Sequence, residues 1–189
     1  MDDVQIIKKH RKVFKRCKYQ KPNERLWVAL REIPFFKGCN LLDIGANSGI
    51  HSFVASRYCD SVMSIEQHID RHKRAMDVKK YFAKHIPEYD VSKVELCNKR
   101  LCEIEDTKHI DAVLACCVIY HLDEINLEKA TEILRHSKRV VFQIRPTRGR
   151  GTNDLWIPKK SIQYLENLGF KCTFKAAVSE THPIILGER

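Results

Sequence analysis

The sequence predicts an α/β fold: a doubly wound, mostly parallel seven-stranded sheet with helices on both faces and a C-terminal antiparallel hairpin. Three observations predict it. Short apolar runs alternate with helical stretches from residue 41 onward, as in parallel sheets whose two faces are covered. The first run, 41–44, leads into a turn with two glycines, Gly45-Ala46-Asn47-Ser48-Gly49, and the second, 61–65, leads into Glu66. The last two runs, 171–178 and 183–186, are joined by a polar turn and pair as a hairpin.

The elements follow in order. Residues 1 to about 20 read as a basic helix with Val4, Ile7, Val13 and Phe14 on one side. Lys21-Pro22-Asn23-Glu24 interrupts it, because proline lacks the amide that a helix interior needs. Helix resumes over 24–32 and Pro34 ends it. Strand 41–44, helix 50–58, strand 61–65 and helix 69–84 come next. Pro87 and a polar loop lead to a strand at 93–97, then a fourth strand at 111–116, a helix over 127–136 and a fifth strand at 139–145. Pro158 opens a helix that reaches 168, where Gly169 caps it.

The chain has 189 residues, enough for one domain with a real core, and carries 34 Lys and Arg against 24 Asp and Glu, a formal +10. Residues 1–32 hold ten of the basic residues and four of the acids, so +6 of the excess sits there. A basic N-terminal stretch suits a polyanion, with nucleic acid first and an anionic membrane surface second; a solvated helix face is the plain alternative. The eight cysteines form no C-x-x-C pair, and several lie in apolar runs as small hydrophobes. With no signal peptide and no apolar run long enough to span a bilayer, the expected setting is reducing and cytoplasmic. No metal is expected: His68 and His72 are four apart and read as a surface pair.

The turn at 45–49 carries the chemistry. Glycines after a strand let backbone come close to a ligand, and an acid at the end of the next strand can take a ribose hydroxyl pair. A G-x-G-x-x-G turn is absent. Asp43-x-Gly45-x-x-x-Gly49, with Glu66 beyond the next strand, resembles the first two motifs of class I, Rossmann-like S-adenosylmethionine-dependent methyltransferases. The resemblance covers about residues 35–189, and 1–34 form a basic helical extension outside it.

That resemblance implies S-adenosylmethionine as cofactor. Asp43 would stand near the methionine amino group, Gly45 and Gly49 would leave room for the ligand, and Ala46, Asn47 and Ser48 would line the turn. Glu66 would accept both ribose hydroxyls. Gln67 would flank the adenine, with Asn98 or the Leu101 backbone binding it and Cys116 at the fourth strand's end completing the cofactor set. The chain departs from the common pattern at Lys99, where a Gly-Asp step is often found. Cys116-Cys117-Val118-Ile119-Tyr120-His121-Leu122 is similar to a subset of these enzymes acting on small molecules and modified nucleosides. Tyr120 would orient the acceptor and His121 take its proton, since imidazole titrates near neutrality; packing is the alternative for His121.

The fifth strand leads into the loop at 145–151, where Arg145, Arg148 and Arg150 among glycines suit phosphate or carboxylate. The fourth strand does not end in Asn-Pro-Pro-Tyr or Asp-Pro-Pro-Tyr, which disfavours amino methylation of a base. Cys116 and Cys117 also lack the setting of carbon-five cytosine enzymes. The first expectation is methyl transfer to an anionic acceptor, RNA foremost, gripped by residues 8–21 and the 145–151 loop. The alternatives are a small acidic metabolite as acceptor, or a non-catalytic module that binds nucleic acid or a partner subunit.

Overall fold

A computed structural model of the chain describes residues 2–10, 24–145, 151–175 and 182–189. The strands are β1 (Asn40–Ile44), β2 (Ser61–Ile65), β3 (Val94–Cys97), β4 (Ala112–Cys116), β5 (Arg139–Gln143), β6 (Lys171–Lys175) and β7 (Ile184–Glu188). They form one sheet in the order β3-β2-β1-β4-β5-β7-β6. β1 pairs in parallel with β2 and β4, and β2–β3 and β4–β5 are parallel too. β7 runs antiparallel between β5 and β6, as the hairpin reading requires. The strand order reverses between β1 and β4, which opens a crevice at the carboxyl ends of those strands.

The helices are α1 (Asp3–Lys9), α2 (Glu24–Glu32), α3 (Ile50–Ala55), α4 (Ile69–His85), α5 (Glu124–His136) and α6 (Pro158–Asn167). Successive strand residues face opposite sides, and this period of two builds two cores. Leu41, Val62, Val94, Leu114 and Val141 pack with α1 to α4. Leu42, Ile44, Val113, Val140 and Phe142 pack with α5 and α6. β1 and β4 are buried along almost their whole length because both faces are covered.

Several boundaries differ from the sequence expectation. Only Asp3–Lys9 of the first helix is described as helical, and residues 11–23 lie outside the described residues. α3 stops at Ala55, and tighter bonds from Arg57 to Val54 and Tyr58 to Ala55 finish it. α5 starts at Glu124, earlier than expected, because Asp123 caps it by accepting from the Asn126 amide at 3.1 Å. β5 ends at Gln143 rather than 145, while β7 continues to Glu188. The expected end of the sixth strand, 176–178, lies outside the described residues.

α1 is fastened to the amino-terminal edge of the sheet. Asp3 is buried there and accepts from Tyr58 Oη at 2.6 Å, Tyr89 Oη at 2.9 Å and Arg57 Nη1 at 3.2 Å. Tyr58 and Tyr89 precede β2 and β3, so this cluster lies across the sheet from the crevice. Burial, reinforced by Asp3, pushes the Tyr58 phenol up to about 12 and raises that of Tyr89 as well, so both act as donors. Among the described residues no helix is long and apolar enough to cross a membrane.

Candidate active site

The crevice holds a cavity of about 330 Å³ at the carboxyl ends of β1, β2 and β4. Its floor is the glycine turn, which two bonds tie to the end of β2. Ala46 N donates to Ile65 O at 2.9 Å and Asn47 N to Glu66 Oε2 at 3.0 Å. The second bond needs Asn47 in the left-handed region, at φ 55°, which asparagine tolerates better than most residues. Glu66 is 4% exposed, and its other oxygen accepts from His68 N at 2.9 Å. Arg71 Nη1 stands 3.9 Å from Oε2. A carboxylate has about four acceptor positions, so two backbone amides leave capacity facing the cavity.

The glycines are required by the chain's own packing. At Gly45, φ 69°, an added Cβ would lie 2.7 Å from Val118 Cγ2; at Gly49, φ 75°, it would lie 2.7 Å from the Phe53 ring. Val118 follows Cys117, itself at φ 56°, whose amide donates to Gln143 O at 2.7 Å. The backbone bend after β4 thus brings Val118 over Gly45 and turns the following residues toward the crevice.

The structure places Gly45, Ala46, Asn47, Glu66, Gln67, Leu101, Cys116 and His121 together around the cavity. Six other expected residues do not line it. Asp43 is 1% exposed and accepts from Ser52 Oγ at 2.6 Å, beneath α3. Burial pushes its carboxyl up to about 7, partly opposed by the Ser52 bond and aided by the charge of Glu66. Ser48 is buried in the turn, its Oγ without a hydrogen-bond partner among the described residues, and Gly49 begins α3. Asn98 Nδ2 donates to Glu66 O at 2.7 Å, locking the ends of β2 and β3 together. Tyr120 is buried with its ring 4.4 Å from that of His121, and Arg145 is exposed just after β5. Arg148 and Arg150 lie outside the described residues.

Sequence reasoning gave no place in the site to several nitrogen-bearing side chains that the fold brings to the same cavity: His51, Arg71 and Arg100, beside Lys99, and His68, which read as half of a surface pair. Each follows a strand's carboxyl end within a few residues, and topology alone sends such positions to the crevice. Arg100 Nη2 bonds Asp123 Oδ2 at 2.7 Å, so the segments after β3 and β4 meet at the cavity wall.

The turn that carries His121, Ile119–His121, is held from behind by residues 151–153. Thr152 N donates to Tyr120 O at 2.8 Å and Thr152 Oγ1 to Leu122 O at 2.6 Å. Asn153 Nδ2 reaches Ile119 O at 3.1 Å and Leu122 O at 3.2 Å. Gly151 is pressed so close that a Cβ would lie 2.5 Å from Tyr120 O.

No protein-family model and no curated protein matches the chain. Solved structures do. Magnesium protoporphyrin IX methyltransferase from Synechocystis, with bound S-adenosylhomocysteine, superposes with a TM-score of 0.66 at 11% identity, over 87% of this chain and 81% of that one. A S-adenosylmethionine-dependent methyltransferase from Aquifex aeolicus gives 0.63 at 17% identity, over 93% and 97%. The methyltransferase domain of bacterial CtHen1 gives 0.64 at 14% identity, over 87% and 95%. At these identities the likeness is one of fold.

Proposed function

We propose that this chain, whose fold is the Rossmann-like fold of S-adenosylmethionine-dependent methyltransferases, binds S-adenosylmethionine in the crevice and transfers its methyl group to an anionic acceptor, RNA foremost. The observation that carries the reading is Glu66: a buried carboxylate at the carboxyl end of β2, tied to the glycine turn yet lining the cavity. Acceptor capacity left over at that place fits a ribose diol. The buried Ser48 hydroxyl in the same turn adds a polar atom with no partner among the described residues. S-Adenosylmethionine supplies a methyl group activated by a positively charged sulfur.

In this reading Glu66 accepts the two ribose hydroxyls, Gln67 and Leu101 flank the adenine, and Ala46 and Asn47 line the cofactor's path. Cys116 and Val118 wall the cavity on the β4 side. His121 faces the same space and takes the acceptor's proton, with Tyr120 stacked behind it as a support. Positioning the acceptor in line with the methyl provides much of the acceleration in such a reaction. Arg145, Arg148 and Arg150 and the basic stretch at 8–21 support an anionic acceptor through their charge.

The test is calorimetric titration with S-adenosylmethionine and S-adenosylhomocysteine, beside Glu66→Ala. Hydrogen bonds to a charged group are worth about 1.5–3 kcal/mol. The variant should therefore bind about 10- to 100-fold more weakly. Equal affinity in the two proteins would remove the reading.

A further inference from the structure

We propose that Asn126, in the first turn of α5, reads the base of the cofactor, and that its fixed amide makes the crevice selective for a 6-aminopurine. The inference rests on the S-adenosylmethionine reading and names the residue that recognises the adenine.

Strand order sets the nucleoside end of the cavity. β3 lies beyond β2, so a ligand whose ribose meets Glu66 carries its base toward the segment that follows β3. Arg100 and Leu101 line the cavity there. Asn98, which the sequence offers for the base, is engaged elsewhere, its Nδ2 donating to Glu66 O at 2.7 Å. Leu101 brings a buried apolar side chain to that wall. The polar group in the same wall is Asn126, 5% exposed and lining the cavity. It comes from beyond β4, but its Oδ1 accepts from Cys102 N at 3.0 Å, which sets it beside Leu101. Its side chain is not needed to start α5, because Asp123 caps that helix through the Asn126 backbone amide.

Two neighbours dictate which way the amide faces. Nδ2 donates to Asp123 Oδ1 at 2.6 Å, while Oδ1 takes the Cys102 amide hydrogen. Turned over, the side chain would set oxygen against a carboxylate and N–H against N–H, so no flipped form competes. Asp123 is held in its turn by Arg100, whose Nη2 donates to Oδ2 at 2.7 Å. The side-chain bond from Asn126, then its backbone bond and Arg100, hold the Asp123 carboxyl below its ordinary range, so it stays an acceptor. A side-chain amide has two N–H groups and two oxygen lone pairs, and these bonds use one of each. One donor and one acceptor are left on a buried group at the cavity wall. Adenine presents the matching edge, a ring nitrogen that accepts beside an amino group that donates. Hypoxanthine and guanine carry a carbonyl in place of that amino group and would set oxygen against Oδ1. An amide free to turn would serve either kind of base, whereas this one is locked to the first.

The experiment is calorimetric titration of the full chain with S-adenosylhomocysteine and with S-inosylhomocysteine, whose base carries the carbonyl, for wild type and Asn126→Ala. Bidentate pairing of an amide with a base edge discriminates by about 10- to 100-fold. Wild type should prefer the adenosyl compound by that factor, and Asn126→Ala should erase the preference whatever it does to the affinities themselves. A side chain that only ties the two segments together would weaken both compounds alike and leave their ratio unchanged. That result, or a wild type without preference, would overturn the role of Asn126 and leave the cofactor reading standing. Wild type that binds neither compound would overturn both. If Asn126→Ala does not fold, the wild-type side-chain NH2 resonances of Asn126 decide the matter by NMR. They should shift on saturation with S-adenosylhomocysteine, and resonances that stay in place would overturn the assignment.

Discussion

Two buried carboxylates sit at opposite edges of the sheet, and their surroundings differ. Asp3, at the amino edge, is 6% exposed and meets three side-chain donors from Tyr58, Tyr89 and Arg57. Glu66, at the carboxyl edge, is 4% exposed and meets two backbone amides, with Arg71 farther off and open space on its remaining side. Burial and charge are alike; saturation is not. A saturated carboxylate joins elements of the fold, here α1 to the loops before β2 and β3. An unsaturated one beside a cavity holds acceptor capacity in reserve for a ligand.

The sharpest way to break that comparison is Asp3→Ala. It strands two phenols and part of a guanidinium, and leaving such donors without their charged acceptor costs about 3 kcal/mol. Urea unfolding should show that loss, while affinity for S-adenosylhomocysteine stays as in wild type. Weakened cofactor binding in a folded Asp3→Ala protein would mean that the two edges are coupled and that the division drawn between them is wrong.

A third buried carboxylate, Asp43, lies between the two in character, and its proton reports which kind it is. Burial holds its pKa at about 7 in the folded chain, against 3.8 ordinarily. The folded state therefore binds a proton that the unfolded state has already released between those values. The stability this gives is complete at low pH and is lost as pH rises through 7. From pH 5 to pH 8 the loss amounts to about 2.6 kcal/mol, roughly 1.4 kcal/mol for each pH unit up to 7. Thermal melts across that range should decline in wild type more than in Asp43→Asn, which cannot titrate. Parallel declines would show that Asp43 is ionised in the fold and balanced by contacts other than Ser52.

The carboxyl edge was legible in the sequence where a residue's offset from a strand fixes its place. Glu66 follows β2 directly, and the glycine turn follows β1, so both reach the crevice whatever the details of packing. Arg71 and Arg100 obey the same topology but carry no motif and were given no role, and His68, read as half of a surface pair, reaches the cavity by the same rule. Asp43 shows the limit from the other side. It belongs to the motif, yet strand pleat turns its carboxylate under α3 toward Ser52, and a sequence pattern has no term for that rotation. The amino edge was less legible still. Asp3 meets partners 54 to 86 positions away. Nothing local in Asp-Asp-Val-Gln announces contacts of that range, so the first helix read as an appended basic segment, although its apolar side shares a core with β1 and α3.

The smallest effect tests whether saturation at the carboxyl edge is also structural. Asn153 fills the backbone acceptors of Ile119 and Leu122 with its amide nitrogen and caps the short turn Asp154–Trp156 through its oxygen, which accepts from Leu155 N at 3.0 Å. Asn153→Ala removes both functions, but Thr152 keeps its own bonds to Tyr120 and Leu122, so the loss should be about 1 kcal/mol. The informative readout is the His121 imidazole, followed by NMR titration beside the unfolding curve. If the clip only stabilises, the melt shifts and the imidazole titrates as in wild type. If the clip also aims the turn at the cavity, the imidazole resonances move in a protein that has lost little stability. The second outcome would extend the lesson of Glu66 to a neighbouring site: at this edge, bonds that satisfy the backbone also set where a reactive side chain points.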